Sequence, residues 1–205
     1  MQQKLVISEI LKEAWKGLKA EFWLLVGLTI GYVLIMMSLG LFIPDMKEGI
    51  SATAIAIMTL SFVFSVIFSL GYTKNLFQVL DKEEPQFSAY GRQSLKFFNF
   101  LIAYILYIII ISIGFALLII PGFYLALRLQ FFAASIIDEN TSTIGSLKRS
   151  WGITKGQTLS LFLLMLIMIA LYIIGILALG IGVFIIIPFI GLMYCYVFRK
   201  LTLMV

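Results

Sequence analysis

Two unbroken apolar runs of 41 residues, Phe97–Ile137 and Thr158–Phe198, limit what this chain can become. As a single helix each would be roughly 60 Å long, about twice the ~30 Å hydrocarbon core of a bilayer. Each run must therefore fold back as two spans with almost no linker. The glycines and proline of SIGFALLIIPG put the first turn near Gly114–Gly122. Gly180-Ile181-Gly182, with Pro188 beyond, put the second. Two shorter runs, Phe22–Ile43 and Ile50–Thr73, flank the polar break Pro44-Asp45-Met46-Lys47-Glu48-Gly49 and form a third hairpin.

Composition agrees with a lipid environment. The chain is 62% apolar and 12% charged, against about 45–50% and about 25% in soluble domains. The runs are continuous rather than alternating, which selects helices over barrel strands. The expected fold is all-α: one domain over residues 1–205, a polytopic membrane protein with six transmembrane helices in three hairpins. The first 21 residues are charged, and the run after them is too long for a signal-peptide core, so this end reads as uncleaved.

Charge sets the expected orientation. Lys4, Lys12, Lys16 and Lys19 precede the first span, and Lys74, Lys82, Arg92 and Lys96 separate the second from the third. Lys148, Arg149 and Lys155 separate the fourth from the fifth, and Arg199 and Lys200 follow near the end of the sixth. Only Lys47 falls in a loop on the opposite side. Positive residues in short loops favour the cytoplasmic side, so both termini are expected there.

The segments before the first and fifth spans repeat one another. ISEILKEAWKGLKA sets Ile7, Ile10, Leu11, Ala14 and Leu18 on one helical face, with lysines on or near the other. IGSLKRSWGITKG spaces Ile144, Leu147 and Trp151 by three and four. At an offset of 136, Leu11 meets Leu147, Lys12 meets Lys148, Trp15 meets Trp151 and Lys19 meets Lys155. PQFSAYGRQSLKFFNF, before the third span, has similar length and chemistry but aligns weakly. The simplest account is three copies of one unit, near residues 4–80, 86–137 and 142–200, each a short amphipathic interfacial helix followed by a hairpin.

The stretch from Gly114 to Gly156 carries Pro121-Gly122, Arg128, Asp138-Glu139, Ser150-Trp151 and Thr154-Lys155-Gly156. Over about residues 95–200 it resembles the bacterial membrane-domain superfamily named after glycerophosphodiester phosphodiesterase. The resemblance implies a helical domain in the bacterial inner membrane. In some relatives such a domain precedes a separate phosphodiesterase domain; the 205 residues here leave no room for one, so the resemblance implies no phosphodiesterase activity.

The catalytic inventory is sparse. There is no histidine, Cys195 is the one cysteine, and all ten acidic residues fall outside the expected spans. No HExxH, CxxC, paired-aspartate or phosphate-loop pattern occurs. Asp81, Glu83 and Glu84 read as a solvated loop. A non-enzyme without a cofactor or metal is expected. The prominent residue is Arg128, ten positions before Asp138 and the deepest of three basic residues in the second helices of the hairpins, with Lys74 and Arg199. An intramembrane arginine is a functional candidate. It snorkels to the cytoplasmic headgroups, binds backbone carbonyls freed by a kink, or binds a lipid phosphate or the carboxylate of Asp138 or Glu139. Trp15, Trp151, Lys12, Lys148 and Lys155 read as interfacial anchors on an anionic leaflet. Pro121, Gly122 and Pro188 read as turn or kink residues rather than a transporter's broken-helix site.

The expected function is a non-catalytic membrane module that interacts with lipid or organises the membrane, or a partner-binding subunit. The alternative is a small transporter, scramblase or flippase for an amphiphile. The expected partners are anionic lipids on the cytoplasmic side or a membrane or cytoplasmic protein, and no nucleic acid.

Overall fold

Among the described residues ten helices form, because the stretches between the polar breaks are apolar or amphipathic and mostly lack an interior breaker, and backbone groups in lipid must bond within their own segment. The computed structural model describes residues 5–44, 51–178 and 180–204. Lys4, Lys47 and the break from Asp45 to Gly49 therefore lie outside the described residues. The helices are α1 (Ile7–Ala20), α2 (Phe22–Leu41), α3 (Ala52–Leu80), α4 (Ser88–Ser94) and α5 (Phe97–Leu117). They continue as α6 (Ile119–Leu129), α7 (Phe132–Glu139), α8 (Thr143–Ile153), α9 (Thr158–Leu177) and α10 (Val183–Leu203). Among the described residues six stretches are long and apolar enough to span a bilayer, with Ile119–Glu139 as the fourth. This is an all-α, multi-pass membrane protein of three hairpins, each preceded by a short helix.

Three boundaries differ from expectation. The second span does not stop at Thr73; α3 continues through Lys74 to Leu80. Its polar extension stays helical because the bundle covers it, with Asn75 and Gln78 buried. The helix before the third span is only the seven residues of α4. The fourth span is broken at Gln130-Phe131 into α6 and α7.

The expected turns are present, but the prolines do not make them. The chain reverses at Leu118, one residue in extended conformation (φ −163°, ψ 155°). Pro121 sits in the first turn of α6, where a missing N–H costs nothing. Pro188 lies inside α10. Glycines close both hairpins. A Cβ on Gly114 would stand 3.0 Å from the Gly122 Cα, and one on Gly182 would stand 2.8 Å from the Gly175 carbonyl oxygen. A Cβ on Gly175 itself would meet Ile186 at 3.0 Å and the 182–183 peptide at 3.3 Å. Gly175→Ala should therefore cost about 1 kcal/mol by overpacking. A thermal melt in detergent checks this, and an unchanged midpoint would refute close packing at that turn.

The core lies in one half of the bundle. In α2 only Leu25, Val26 and Thr29 are buried, all near its start. In α3 burial is concentrated from Val66 to Val79, and in α10 from Pro188 to Leu201. Leu41, Leu117, Ile120 and Leu177, at the other end, are exposed apolar residues suited to lipid. α10 is central and packs on α1, α2, α3 and α9. The short helices α1, α4 and α8 and most of the charge gather at the buried end, called here the basic end.

Candidate functional site

Side chains compensate the break in the fourth span. In a continuous helix the Phe131 N–H would bond the Leu127 carbonyl. Here it donates to Ser150 Oγ at 3.0 Å, and the Gln130 side-chain amide donates to the Leu127 carbonyl at 3.1 Å. The Arg128 carbonyl accepts from Ser150 Oγ (2.9 Å) and Thr154 Oγ1 (3.1 Å). The Gln130 carbonyl accepts from the Tyr194 hydroxyl of α10 at 2.9 Å. Buried peptide groups freed without such partners would each cost several kcal/mol in hydrocarbon.

Ser150 and Thr154 belong to a stripe on α8. Ser146, Ser150 and Thr154, four apart, are all fully buried. Of the apolar trio only Leu147 is buried; Ile144 is 61% exposed and Trp151 41% exposed, so that face turns mainly away from the bundle. The face that docks is the one that hydrogen-bonds the broken backbone. α1 keeps the same register at the offset of 136, with buried Ile10, Ala14 and Leu18 opposite Ser146, Ser150 and Thr154.

Arg128 is 4% exposed. Its guanidinium donates to the Trp151 carbonyl oxygen at 2.6 Å and lies 4.3 Å from the Trp151 ring and 5.8 Å from the Tyr124 ring. Its Nε has no hydrogen-bond partner among the described residues. Of the expected geometries, the bond to a backbone carbonyl is present, although its acceptor lies near the end of α8 rather than at a kink; the side chain does not snorkel outward, and it meets neither Asp138 nor Glu139. Ten helical residues separate positions 128 and 138 by roughly 15 Å, beyond an arginine's reach. The aromatic cap substitutes cation–π contact for a counter-ion.

The carboxylates serve other cations. Asp138 accepts from Arg199 at 3.0 Å and stands 3.7 Å from Lys74. Arg199 also holds Asp81 at 2.7 Å and lies over the Phe77 ring. Thus Lys74, Arg199 and Asp138 do converge, joined by Asp81, which is not a solvated loop residue alone but a partner of Arg199. Glu139 takes a forked bond from Arg149, at 2.9 Å from Nε and 2.8 Å from Nη2. That bond raises the arginine's already high pKa. Glu9 of α1 meets Lys200 (2.7 Å) and Tyr196 (2.6 Å) of α10, and these bonds hold its carboxyl below the usual range. Lys96 donates to the carbonyls of Ile136 and Ile137, both at 3.0 Å, at the C-terminus of α7, where the helix dipole favours a cation. Burial, and secondly Lys74 beside it, pull Lys96 below the usual lysine range.

Lys12, Lys148 and Lys155 are exposed, as anchors require. Trp15 is 49% exposed with its edge against Phe189. Trp151 is both half-exposed and the cover over Arg128. Above it, α6 and α9 splay to leave an apolar groove of about 800 Å³. Ile120, Phe123, Tyr124 and Leu127 form one wall, and Phe162 and Ile169 are on the other. On α9 the lining runs from Thr158 to Ile169, roughly 16 Å of helix, close to the depth of one leaflet's hydrocarbon.

A family model described as Domain of unknown function (DUF7847) matches residues 92–204, which is 113 of 205 residues. The match takes in α5 to α10, the broken span, the α8 stripe and the groove. No curated protein and no solved structure matches the chain.

Proposed function

We propose that this chain, which belongs to the family of that domain of unknown function (DUF7847), is a non-catalytic lipid-holding module of the bacterial inner membrane with both termini in the cytoplasm. The α6–α9 groove carries the reading. It is apolar along about one leaflet depth, begins beside the Tyr124–Trp151–Arg128 cluster, and has exposed Lys155 three residues before Thr158 at its basic end. That combination suits one acyl chain of a phospholipid with an anionic headgroup at the lysine level. The resemblance to the glycerophosphodiester phosphodiesterase membrane domains is kept as a proposal and favours a lipid-side role without lending a reaction.

Transport or scrambling fits less well. A headgroup crossing the bilayer needs a polar track, whereas this groove offers only the side-chain hydroxyls of Tyr124 and Thr158. The one cation inside the fourth span is already sealed under Trp151.

Native mass spectrometry of the detergent-purified protein tests the reading. Phosphatidylglycerol should be retained in preference to phosphatidylcholine. Met165→Trp, which fills the groove, should release at least half of it without lowering the thermal midpoint. Equal retention by the two proteins would overturn the groove assignment. Rapid scrambling in proteoliposomes would favour the transport reading instead.

A further inference from the structure

A second cavity, of about 440 Å³, lies at the basic end between the last turns of α3, the 81–87 loop, α4 and the start of α5. It shares no lining residue with the α6–α9 groove and is argued independently of it. Lys74, Arg92 and Lys96 line it against a single carboxylate, Glu83. Asp138 stands beyond Lys74 and is held more closely by Arg199. Lys96 spends two of its bonds on the neutral carbonyls at the end of α7, and Arg92 bonds Gln86 Oε1 (2.9 Å) and Ser88 Oγ (3.0 Å), also neutral. The lining thus carries an excess of positive charge.

The second observation is independent of charge. Gln93 lines the cavity, is 6% exposed, and its Oε1 is buried without a hydrogen-bond partner. A buried amide oxygen left unpaired costs about 1–3 kcal/mol, which the fold tolerates most readily where a ligand completes the bond. The wall carrying Gln93 and Arg92 is locked in place: a Cβ on Gly71 would fall 2.3 Å from the Tyr90 ring, so α4 docks flat on α3.

From this juxtaposition we infer that the cavity between α3, α4 and the start of α5 binds a phosphate ester or phosphate ion, with Lys74, Arg92 and Lys96 on the oxygens and Gln93 bonding a P–OH or, rotated, a phosphoryl oxygen. The volume suits a phosphate with a small substituent. Guanidinium and ammonium donors directed at one anion are the usual protein solution for phosphate. The phosphate is either a lipid headgroup or a soluble ion, and the chemistry of the lining is the same for both.

The test uses the full chain in a neutral maltoside detergent with two probes. Inorganic phosphate is titrated calorimetrically, and phosphatidylglycerol is followed by native mass spectrometry against phosphatidylcholine. At least one probe should bind, and Arg92→Gln and Gln93→Leu should each weaken it about tenfold, the loss expected for one charge-assisted or buried bond. Lys148→Gln, an equal charge change outside the cavity, should leave it unaltered. Gln93→Leu removes a buried oxygen that has no partner among the described residues, so its fold should be about as stable as wild type. Binding of inorganic phosphate alone assigns a soluble source, and binding of phosphatidylglycerol alone assigns a headgroup. Failure of both probes, or equal weakening by Lys148→Gln, overturns the site. Met165→Trp should retain this binding, so a failure of the groove and a failure of the cavity give separate results.

Discussion

Ser150→Ala is expected to lower stability by about 2–3 kcal/mol, a large loss for a change of one oxygen atom. Ser150 Oγ closes both sides of the gap in the fourth span, accepting from the Phe131 N–H and donating to the Arg128 carbonyl. Its removal leaves the Phe131 N–H without an acceptor in a site that is fully buried. An unmade buried bond costs about 1–3 kcal/mol, and the polar environment of water is not there to soften it. Thr154 still reaches the Arg128 carbonyl, which keeps the loss from doubling. Ser146→Ala is the matched control. Ser146 is equally buried, but its hydroxyl bonds only the Thr143 carbonyl one turn back, so its loss should stay within about 0.5 kcal/mol. Thermal melts of the two variants in one detergent decide the matter; similar midpoints would mean that the stripe packs rather than caps.

That stripe also explains what sequence reading can and cannot see in a membrane protein. The spans were legible because their signal is a length compared with a bilayer thickness, and two runs of 41 residues admit few solutions. The hairpin turns were legible from Gly114, Gly122 and Gly182, which do pack closely, although Pro121 turned out to start a helix rather than make the turn. The break at Gln130-Phe131 was not legible. It contains no glycine or proline, and it exists because Ser150, Thr154 and Tyr194 from elsewhere in the chain satisfy it. Hydropathy marks only the apolar face of α8 and does not reveal its docking face, since in lipid the exposed face can be apolar and the buried face polar. The i, i+4, i+8 spacing of Ser146, Ser150 and Thr154 was a usable signal, and it pointed the opposite way from Ile144, Leu147 and Trp151.

Arg128 shows the same limit at a single residue. Its presence in an apolar span was plain, and its importance to the fourth span is real. A backbone carbonyl was among the expected partners, but which carbonyl was not legible, and Asp138 and Glu139 are near in sequence yet distant along the helix. The contacts it does make, the Trp151 carbonyl and ring, come from a helix 23 residues away. The unpaired Gln93 was hidden for the opposite reason: an amide in a seven-residue helix carries no pattern at all.

Asp138→Asn should be the other strongly destabilising change, at about 2–3 kcal/mol. The substitution keeps the shape and removes the charge. Asp138 is 7% exposed as a side chain and faces Arg199 at 3.0 Å and Lys74 at 3.7 Å, which are 39% and 30% exposed. Breaking a wholly buried pair costs about 3–5 kcal/mol, and an exposed pair contributes about 0–1 kcal/mol; this mixed geometry lies between. Asp81→Asn removes a carboxylate from the same arginine, but one that is 41% exposed, and should cost less than about 1 kcal/mol. The penalty arises from cations left facing one another, so Lys74→Met added to Asp138→Asn should recover part of it, a non-additivity expected only of groups in one network. Strictly additive losses in the melting midpoints would mean that Asp138 acts through packing, and that the joint between α3, α7 and α10 does not depend on its charge.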